Sequence, residues 1–140
     1  MNNSYISKDK KSIKLKISPY VLDAELNKLF CTVWDDHVDG KYQKVLSKSL
    51  FYVCAYIETS LIGYVNVAWD GNEHGFILDT TVQKNLQRKG IGTMLVQEAI
   101  KEGLKRNLKW LHVDFLPHLR EFYLACGFRP TEAGLVRLRQ

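Results

Sequence analysis

The chain has 140 residues, of which 46% are hydrophobic, and a net charge of +5; the length fits one domain spanning residues 1–140, and the composition excludes global disorder. Three cysteines without a CxxC motif or a Cys/His cluster exclude a disulfide framework and a zinc site, so no metal is expected. No run reaches the ~20 apolar residues of a membrane span and no signal-peptide core is present, which predicts a cytoplasmic protein without a membrane partner.

The first third of the chain predicts one strand and two helices. Residues 1–11 are polar and are expected to form a loose N-terminal segment. Ile13, Leu15 and Ile17 alternate with lysines, which predicts a half-exposed strand that ends before Pro19. Apolar residues then follow helical spacing over residues 21–30, and residues 42–50 predict a second, short helix.

Three strands follow, at residues 50–57, 61–69 and 76–82, each rich in β-branched and aromatic residues and joined by short turns. Further on, the pattern predicts a helix over 91–104, a strand over 109–115, a helix from Pro117 that ends at Gly127, and a last strand over 134–138. This order predicts a mixed α/β (α+β) fold, in which an antiparallel meander precedes a βαβα unit and helices flank a central mixed sheet.

The junction between the third meander strand and the following helix has the features of an anion site. Gly90 and Gly92 have no side chain to block an approaching anion, and a helix N-terminus presents unsatisfied N–H groups. Lys84, Arg88 and Lys89 add positive charge. Neither a P-loop nor a complete GxGxxG motif is present. Taken alone, the two glycines are equally consistent with an ordinary turn between a strand and a helix.

Two motifs in this structural order resemble one known superfamily. The segment "QRKGIG" at residues 87–92 is similar to the Gln/Arg-x-x-Gly-x-Gly/Ala signature of the GNAT acyltransferases. About 35 residues later, "FYLACGF" at residues 122–128 resembles the Tyr-x-x-x-Gly-Phe segment of the same superfamily. The resemblance extends from the first predicted strand to Phe128 and therefore covers most of the chain.

The resemblance implies a GNAT-like fold and an N-acyltransferase that uses acetyl-coenzyme A as cosubstrate and a primary amine of a small molecule or peptide as acceptor. In the family, the end of the meander strand pairs with the pantetheine arm, and a backbone N–H there, near Val82 in this chain, polarises the thioester carbonyl. The signature residues hold the pyrophosphate. Carried over, the residues implied in coenzyme binding are Thr80, Thr81, Val82, Gln87, Arg88, Lys89, Gly90, Ile91, Gly92 and Thr93.

Transfer of an acyl group to an amine needs an acid for the leaving thiolate and a base for the attacking amine. Tyr123 matches the family tyrosine that protonates the coenzyme A sulfur, although its helical spacing is equally that of a core residue. His112 and Asp114 alternate on one predicted strand and would share a face, and Asp79 precedes the signature. Each of these three is a candidate base, and each could instead have a structural partner.

The sequence departs from the family pattern at two points. Leu116 and Pro117 stand where many members carry an asparagine that helps to hold the coenzyme. One further strand fits after Phe128, where many members have two, and a homodimer partner is one way to complete that edge of the sheet.

The acceptor side is predicted to lie between Val21 and Leu50, where the family builds its acceptor pocket. This region contains Asp23, Glu25, Asp35, Asp36 and Asp39, which favours a cationic amine, although a solvated loop explains the same residues. A non-catalytic acyl-coenzyme A sensor of the same fold is the alternative function. Binding of nucleic acid by the basic remainder is disfavoured, because no recognition-helix motif or aromatic-basic platform is present.

Overall fold

The computed structural model describes residues 4–6 and 12–140, the first of these ranges by its backbone alone. Within these ranges, a six-stranded sheet has its strands in chain order. The strands are β1 (Ser4–Ile6), β2 (Ser12–Ile17), β3 (Phe51–Ile57), β4 (Ser60–Trp69), β5 (His74–Val82) and β6 (Trp110–His112). The helices are α1 (Asp23–Val33), α2 (Gln43–Lys48), α3 (Ile91–Lys105) and α4 (Arg120–Ala125).

The sheet is mixed, as the sequence predicts. Each of the first five strands pairs antiparallel with its neighbour, and β6 pairs parallel with β5 because α3 carries the chain back across the sheet. The predicted fold class is thereby confirmed. Among the described residues, none of the helices is both long and apolar enough to cross a membrane.

Helices cover both faces of the central strands. One face, called the α3 face, packs on α3, whose residues at i, i+4 and i+8 spacing are buried as their periodicity predicts. The other, called the α1 face, packs on α1 and α2. The α3-face core includes Val53, Val65, Val67, Ile77, Ile91, Leu95 and Ala99. The α1-face core includes Leu26, Leu29, Phe30, Leu46, Tyr52, Cys54 and Tyr64.

The two ends of the chain differ from the prediction. Ser4–Ile6 form a strand on β2, whereas a loose segment was expected; ladder pairing uses backbone groups and therefore leaves little trace in side-chain pattern. The rest of residues 1–11 lies outside the described residues. At the other end, residues 134–138 form no strand, and Leu135, Val136 and Leu138 are almost fully exposed. Two adjacent apolar residues break the alternation that a half-buried strand requires.

The strand predicted over residues 109–115 is also shorter than expected. Only Trp110–His112 join the ladder, opposite His74–Phe76. The β5–β6 ladder ends at Phe76, and the bulge in β5 follows between Leu78 and Thr81, so residues 113–115 do not pair with β5. This early end of β6 opens the sheet beside β5.

Candidate active site

A β-bulge in β5 sets the geometry of the candidate site. Leu78 pairs with Asn66 and Thr81 pairs with Tyr64, so two residues of β5 lie opposite the single residue Val65 of β4. Asp79, the first of these two residues, has a left-handed backbone with φ +59°. Left-handed backbone is uncommon outside glycine, and aspartate is among the residues that tolerate it best. The bulge therefore bends β5 shortly after Phe76, the last residue that pairs with β6.

The second half of β5 has no neighbouring strand along the edge that faces β6. The β5–β6 ladder has three residue pairs and ends at Phe76 with His112, whereas β5 continues to Val82. In a strand, alternate N–H and C=O groups point toward each neighbouring strand. Among the described residues, no strand of the sheet meets the β6-facing groups of residues 77–82. Thr80, Thr81 and Val82 lie on this open edge, which can accept an extended ligand as an added strand.

The turn after β5 brings the chain directly to the N-terminus of α3. The side-chain amide of Gln87 (Nε2) donates a hydrogen bond to the Val82 carbonyl at 3.0 Å, which ties the start of the signature to the end of β5. Arg88 and Gly90 both have left-handed backbone, with φ +62° and +88°. Such turns direct successive N–H groups toward one point and form anion-binding concavities. The helix starts at Ile91, and the first N–H groups of a helix have no acceptor within it.

The two glycines of the signature have different roles in the structure. A Cβ on Gly90 would meet no atom within 4 Å, so Gly90 serves the left-handed backbone and leaves the helix N-terminus open. A Cβ on Gly92 would lie 3.3 Å from Cζ of Phe122. Gly92 therefore lets α3 approach α4 closely, a role that the sequence analysis did not separate from access for an anion.

Exposed side chains surround this helix N-terminus. Lys84, Arg88 and Lys89 are exposed and supply the positive charge expected near a phosphate site. Thr93, in the first turn of α3, is also exposed, and its side chain forms a hydrogen bond with the thiol of Cys126. Thr93 thus links α3 to the end of α4.

Tyr123 lies where both of its predicted roles are possible. It is 5% exposed, and its ring contacts Phe115, Phe122 and Phe128 at centroid distances of 5.2, 4.8 and 5.9 Å. Its hydroxyl lies 3.3 Å from the Thr80 hydroxyl, on the open edge of β5. Burial raises the pKa of Tyr123, so its phenol is protonated at neutral pH and can donate a proton at that edge.

Asp79 lies at the bulge, and its charge acts on two tyrosines of the α1 face. Burial and then the Asp79 charge raise the pKa of Tyr64, and the same charge contributes to the raised pKa of Tyr42, which places the carboxylate near both rings. The Asp79 side chain remains accessible to solvent. The protein around it still displaces part of the water near the carboxylate, and this partial burial raises the pKa of Asp79. A carboxylate with a raised pKa is a stronger base than one with the ordinary pKa of an aspartate.

The structure separates the other two candidate bases. His112 Nε2 lies 2.8 Å from Nδ1 of His74, and the His112 ring stacks on Phe76. Phe76 comes four residues before Thr80 in β5, a separation of roughly 13 Å along the strand. His112 is therefore not brought together with Tyr123. Asp114 is exposed just after β6, and its charge contributes to the raised pKa of Tyr123, so it lies nearer to the candidate site. Within residues 12–140, no group of three potential metal ligands is formed.

Asn27 on α1 organises the loop that the sequence analysis assigned to the acceptor side. Its Oδ1 accepts hydrogen bonds from the Gly40 N–H at 2.9 Å and the Tyr42 hydroxyl at 3.0 Å, and lies 3.0 Å from His37 Nε2, which donates in the tautomer protonated there. Its Nδ2 donates to the Gly40 carbonyl at 3.0 Å. This role could not be predicted from the sequence, because Asn27 is a single polar residue within a helix. The loop carries Tyr42 into edge contact with Phe30, close to Asp79.

We expect Asn27→Ala to lower the free energy of unfolding by about 2 kcal/mol, because several part-buried groups lose one shared partner. Urea denaturation followed by circular dichroism measures this loss. Asn85→Ala is the matched control: Asn85 is exposed and accepts from Gln83 at 2.7 Å, so its loss should have an effect below about 0.5 kcal/mol. Equal stability of the two variants would show that Asn27 does not hold the loop.

Comparisons with known proteins agree with this architecture. The model of the Acetyltransferase (GNAT) family matches residues 21–128. Streptothricin acetyltransferase A of Bacillus subtilis (strain 168) is 33% identical over 67 residues, a match that covers 48% of this chain and only 38% of that relative's length.

Two solved structures illustrate the likeness in fold. A putative acetyltransferase from Deinococcus radiodurans R1 has a TM-score of 0.77 at 21% identity, over 90% of this chain and 88% of that one. The aminoglycoside N-acetyltransferase AAC(6')-Iy, in complex with the bisubstrate analogue CoA-S-monomethyl-acetylneamine, has a TM-score of 0.73 at 15% identity, over 91% of this chain and 98% of that one. The resemblance of the two sequence motifs is thereby confirmed: the chain belongs to the GNAT family of acetyltransferases.

Proposed function

We propose that the chain is an N-acetyltransferase that transfers acetyl from acetyl-coenzyme A to a primary amine of a small molecule or peptide. The observation that carries this proposal is one continuous arrangement: the open edge of β5 leads directly into the left-handed turn and the N-terminus of α3, with Tyr123 beside it. An extended ligand with a diphosphate at one end and a thioester at the other fits this arrangement.

Binding of the donor uses backbone groups for the most part. The N–H groups at the start of α3 would hold the diphosphate, where the helix dipole favours negative charge. Thr80, Thr81 and Val82 would pair with the amides of the pantetheine arm, and the N–H near Val82 would polarise the thioester carbonyl. The match to a GNAT family model, and a fold neighbour solved with a coenzyme A analogue, support acetyl-coenzyme A as cosubstrate.

Proton transfer is assigned to Tyr123 and a carboxylate. The Tyr123 phenol, protonated at neutral pH, would deliver a proton to the leaving sulfur at the Thr80 edge. Asp79 is the preferred base, because it is held near this edge by the bulge and burial raises its pKa. Asp114 is the second carboxylate within the region. His112 is not assigned a part, since its ring nitrogen is engaged with His74.

Asp79→Asn tests the base and its pH dependence together. Because burial raises the pKa of Asp79, its neutral form contributes stability below the ordinary pKa of an aspartate, and that contribution is lost as pH rises through the raised value. At pH 7 we therefore expect the amide variant to be more stable than the wild type, with a gain that disappears toward pH 3.

The same variant should lose about 100-fold in kcat/KM, because a general base contributes that much or more. Asparagine tolerates left-handed backbone, so the bulge should persist. Urea midpoints at pH 3 and pH 7 and initial rates of thiol release give the two measurements. A variant that is both less stable at pH 7 and fully active would contradict this role.

The acceptor is proposed to be an amine that is protonated in solution. The acidic residues Asp35, Asp36 and Asp39 are exposed on the loop between α1 and α2. Their negative charge would attract a cation toward the protein from solution, without itself forming the acceptor pocket. The name of the streptothricin acetyltransferase and the neamine analogue bound by AAC(6')-Iy also support acceptors with amino groups.

A thiol-release assay with acetyl-coenzyme A against a panel of primary amines tests the proposed function. We expect release that depends on both the enzyme and an amine, and calorimetric binding of coenzyme A without any amine. Binding without release for every amine would instead assign the alternative function, a non-catalytic acyl-coenzyme A sensor. Absence of both would exclude the donor site as placed.

A further inference from the structure

A groove of about 570 Å³ lies along β5 and β6, on the α1 face of the sheet but outside the part that α1 and α2 cover. Phe76 and Leu78 of β5 and Trp110 of β6 line it, and each of these large apolar side chains is exposed. The chain after α4, over residues 127–135, forms the opposite wall. A cluster of exposed apolar side chains of this kind is typical of a binding site, and the volume is that of a small-molecule pocket.

The aromatic surfaces of the groove are held in fixed orientations. Phe76 stacks on His112 at a centroid distance of 4.8 Å and an angle of 17°, and His112 is in turn hydrogen bonded to His74. The Arg129 guanidinium lies over the Trp110 ring, 5.5 Å from its centroid. Each contact covers one face of its ring and fixes the ring's orientation, which lowers the ordering cost of binding a flat group beside it.

One end of the groove lies beside Tyr123 of the candidate active site. Phe115 and Phe128 both line the groove and both contact the ring of Tyr123. Asp114 also lines it, and its charge contributes to the raised pKa of Tyr123. From Asp114 back to Trp110 along the chain is four residues, roughly 13 Å of extended backbone. A carboxylate thus stands at the Tyr123 end and aromatic faces at the other.

We infer that this groove holds the acceptor, and that the acceptor is a primary amine joined to a planar, largely apolar body, as in an arylalkylamine; the inference rests on the proposed acetyl transfer. The ammonium group lies toward Asp114 and Tyr123, and the planar body lies against Phe76 and Trp110. Among the lining residues, Asp114 and Arg129 are the acidic and basic side chains, and their charges cancel. A polyamine would find one carboxylate there and one repelling guanidinium, so the groove selects against it.

The three tryptophans of the chain offer a direct test, because each reports on a different place. Trp34 lies at the end of α1, Trp69 at the end of β4 and Trp110 in the groove, with exposures of 43%, 40% and 43%. Variants that retain one tryptophan, with phenylalanine at the other two positions, would be titrated with 2-(4-nitrophenyl)ethylamine in the presence of coenzyme A. The nitrophenyl group quenches indole fluorescence at short range.

We expect saturable quenching of Trp110, with little change at Trp34 or Trp69, and no displacement of the probe by equimolar spermidine. Quenching of Trp34 instead would place the acceptor on the acidic loop side and overturn the inference. Absence of saturable quenching, or ready displacement by spermidine, would overturn it as well. The measurement needs no turnover, so it decides on the groove even if no thiol is released, an outcome that would count against the proposed function separately.

Steady-state kinetics give a second test with a matched control. Trp110→Ala should raise KM for 2-phenylethylamine at least tenfold, with kcat within about twofold and an unchanged Kd for acetyl-coenzyme A. Trp69→Ala removes an equally exposed tryptophan that pairs with Gly75 and lies outside the groove, so it should change none of these constants. An unchanged KM in the Trp110 variant would contradict the inference.

Discussion

Gly90→Asp is expected to raise Kd for coenzyme A at least 100-fold while the chain remains folded. The new carboxylate would stand at the N-terminus of α3, where the diphosphate is proposed to bind, and would repel it. Loss of two charge-assisted hydrogen bonds, each contributing about 1.5–3 kcal/mol, is enough for such a change. Isothermal titration calorimetry of the folded variant measures it, with circular dichroism as the check on folding.

The structure provides a matched control for this substitution. Gly71 has φ +86°, close to the +88° of Gly90, and a Cβ there would also meet nothing within 4 Å. Gly71→Asp therefore introduces the same backbone strain and the same charge in the turn between β4 and β5, away from the proposed donor site. We expect it to keep wild-type affinity for coenzyme A. Equal affinities in both aspartate variants would show that the diphosphate does not bind at α3.

Tyr123→Phe is expected to lower kcat by about 100-fold or more, because general acid catalysis contributes at least that much. The phenyl ring keeps its contacts with the three phenylalanines around it, and the hydrogen bond that is lost among the described residues is the 3.3 Å contact with Thr80. Stability should therefore fall by less than about 1 kcal/mol, and Kd for acetyl-coenzyme A should be unchanged. Rapid-quench or continuous thiol-release rates provide the measurement.

Tyr56→Phe is the control for loss of a buried phenol. Tyr56 is buried on the α1 face of β3, near the Cys54 thiol, and has no place in the proposed site. The Tyr56→Phe variant should have the kcat of the wild type. If the Tyr123 variant did the same, the tyrosine would be a core residue only, as its helical spacing alone allows, and the proton for the leaving thiolate would have another source.

The parts of the fold that depend on local pattern could be predicted from the sequence. The meander follows from β-branched and aromatic runs separated by short turns, and α3 follows from apolar residues at helical spacing. The family assignment rested on two short motifs in the right structural order, and the family model now confirms it. Tyr123 lies beside the end of β5, and its role as the acid stays a prediction.

The features that escaped prediction depend on partners distant in the sequence. The bulge at Asp79 and Thr80 is a property of the register between β4 and β5, and no glycine marks it in "ILDTTV". The alternation that paired His112 with Asp114 was a local observation, whereas the contact of His112 with His74 needs the parallel ladder that α3 creates. The groove beside Trp110 likewise forms only when the chain after α4 returns to the sheet.

The most direct test of the account is a crystal structure of the chain with coenzyme A. We predict the diphosphate oxygens about 3 Å from the backbone nitrogens between Arg88 and Gly92, and the pantetheine arm paired along β5 from Thr80 to Val82. A diphosphate bound elsewhere, or a pantetheine arm that does not lie between β5 and the residues after β6, would contradict the account.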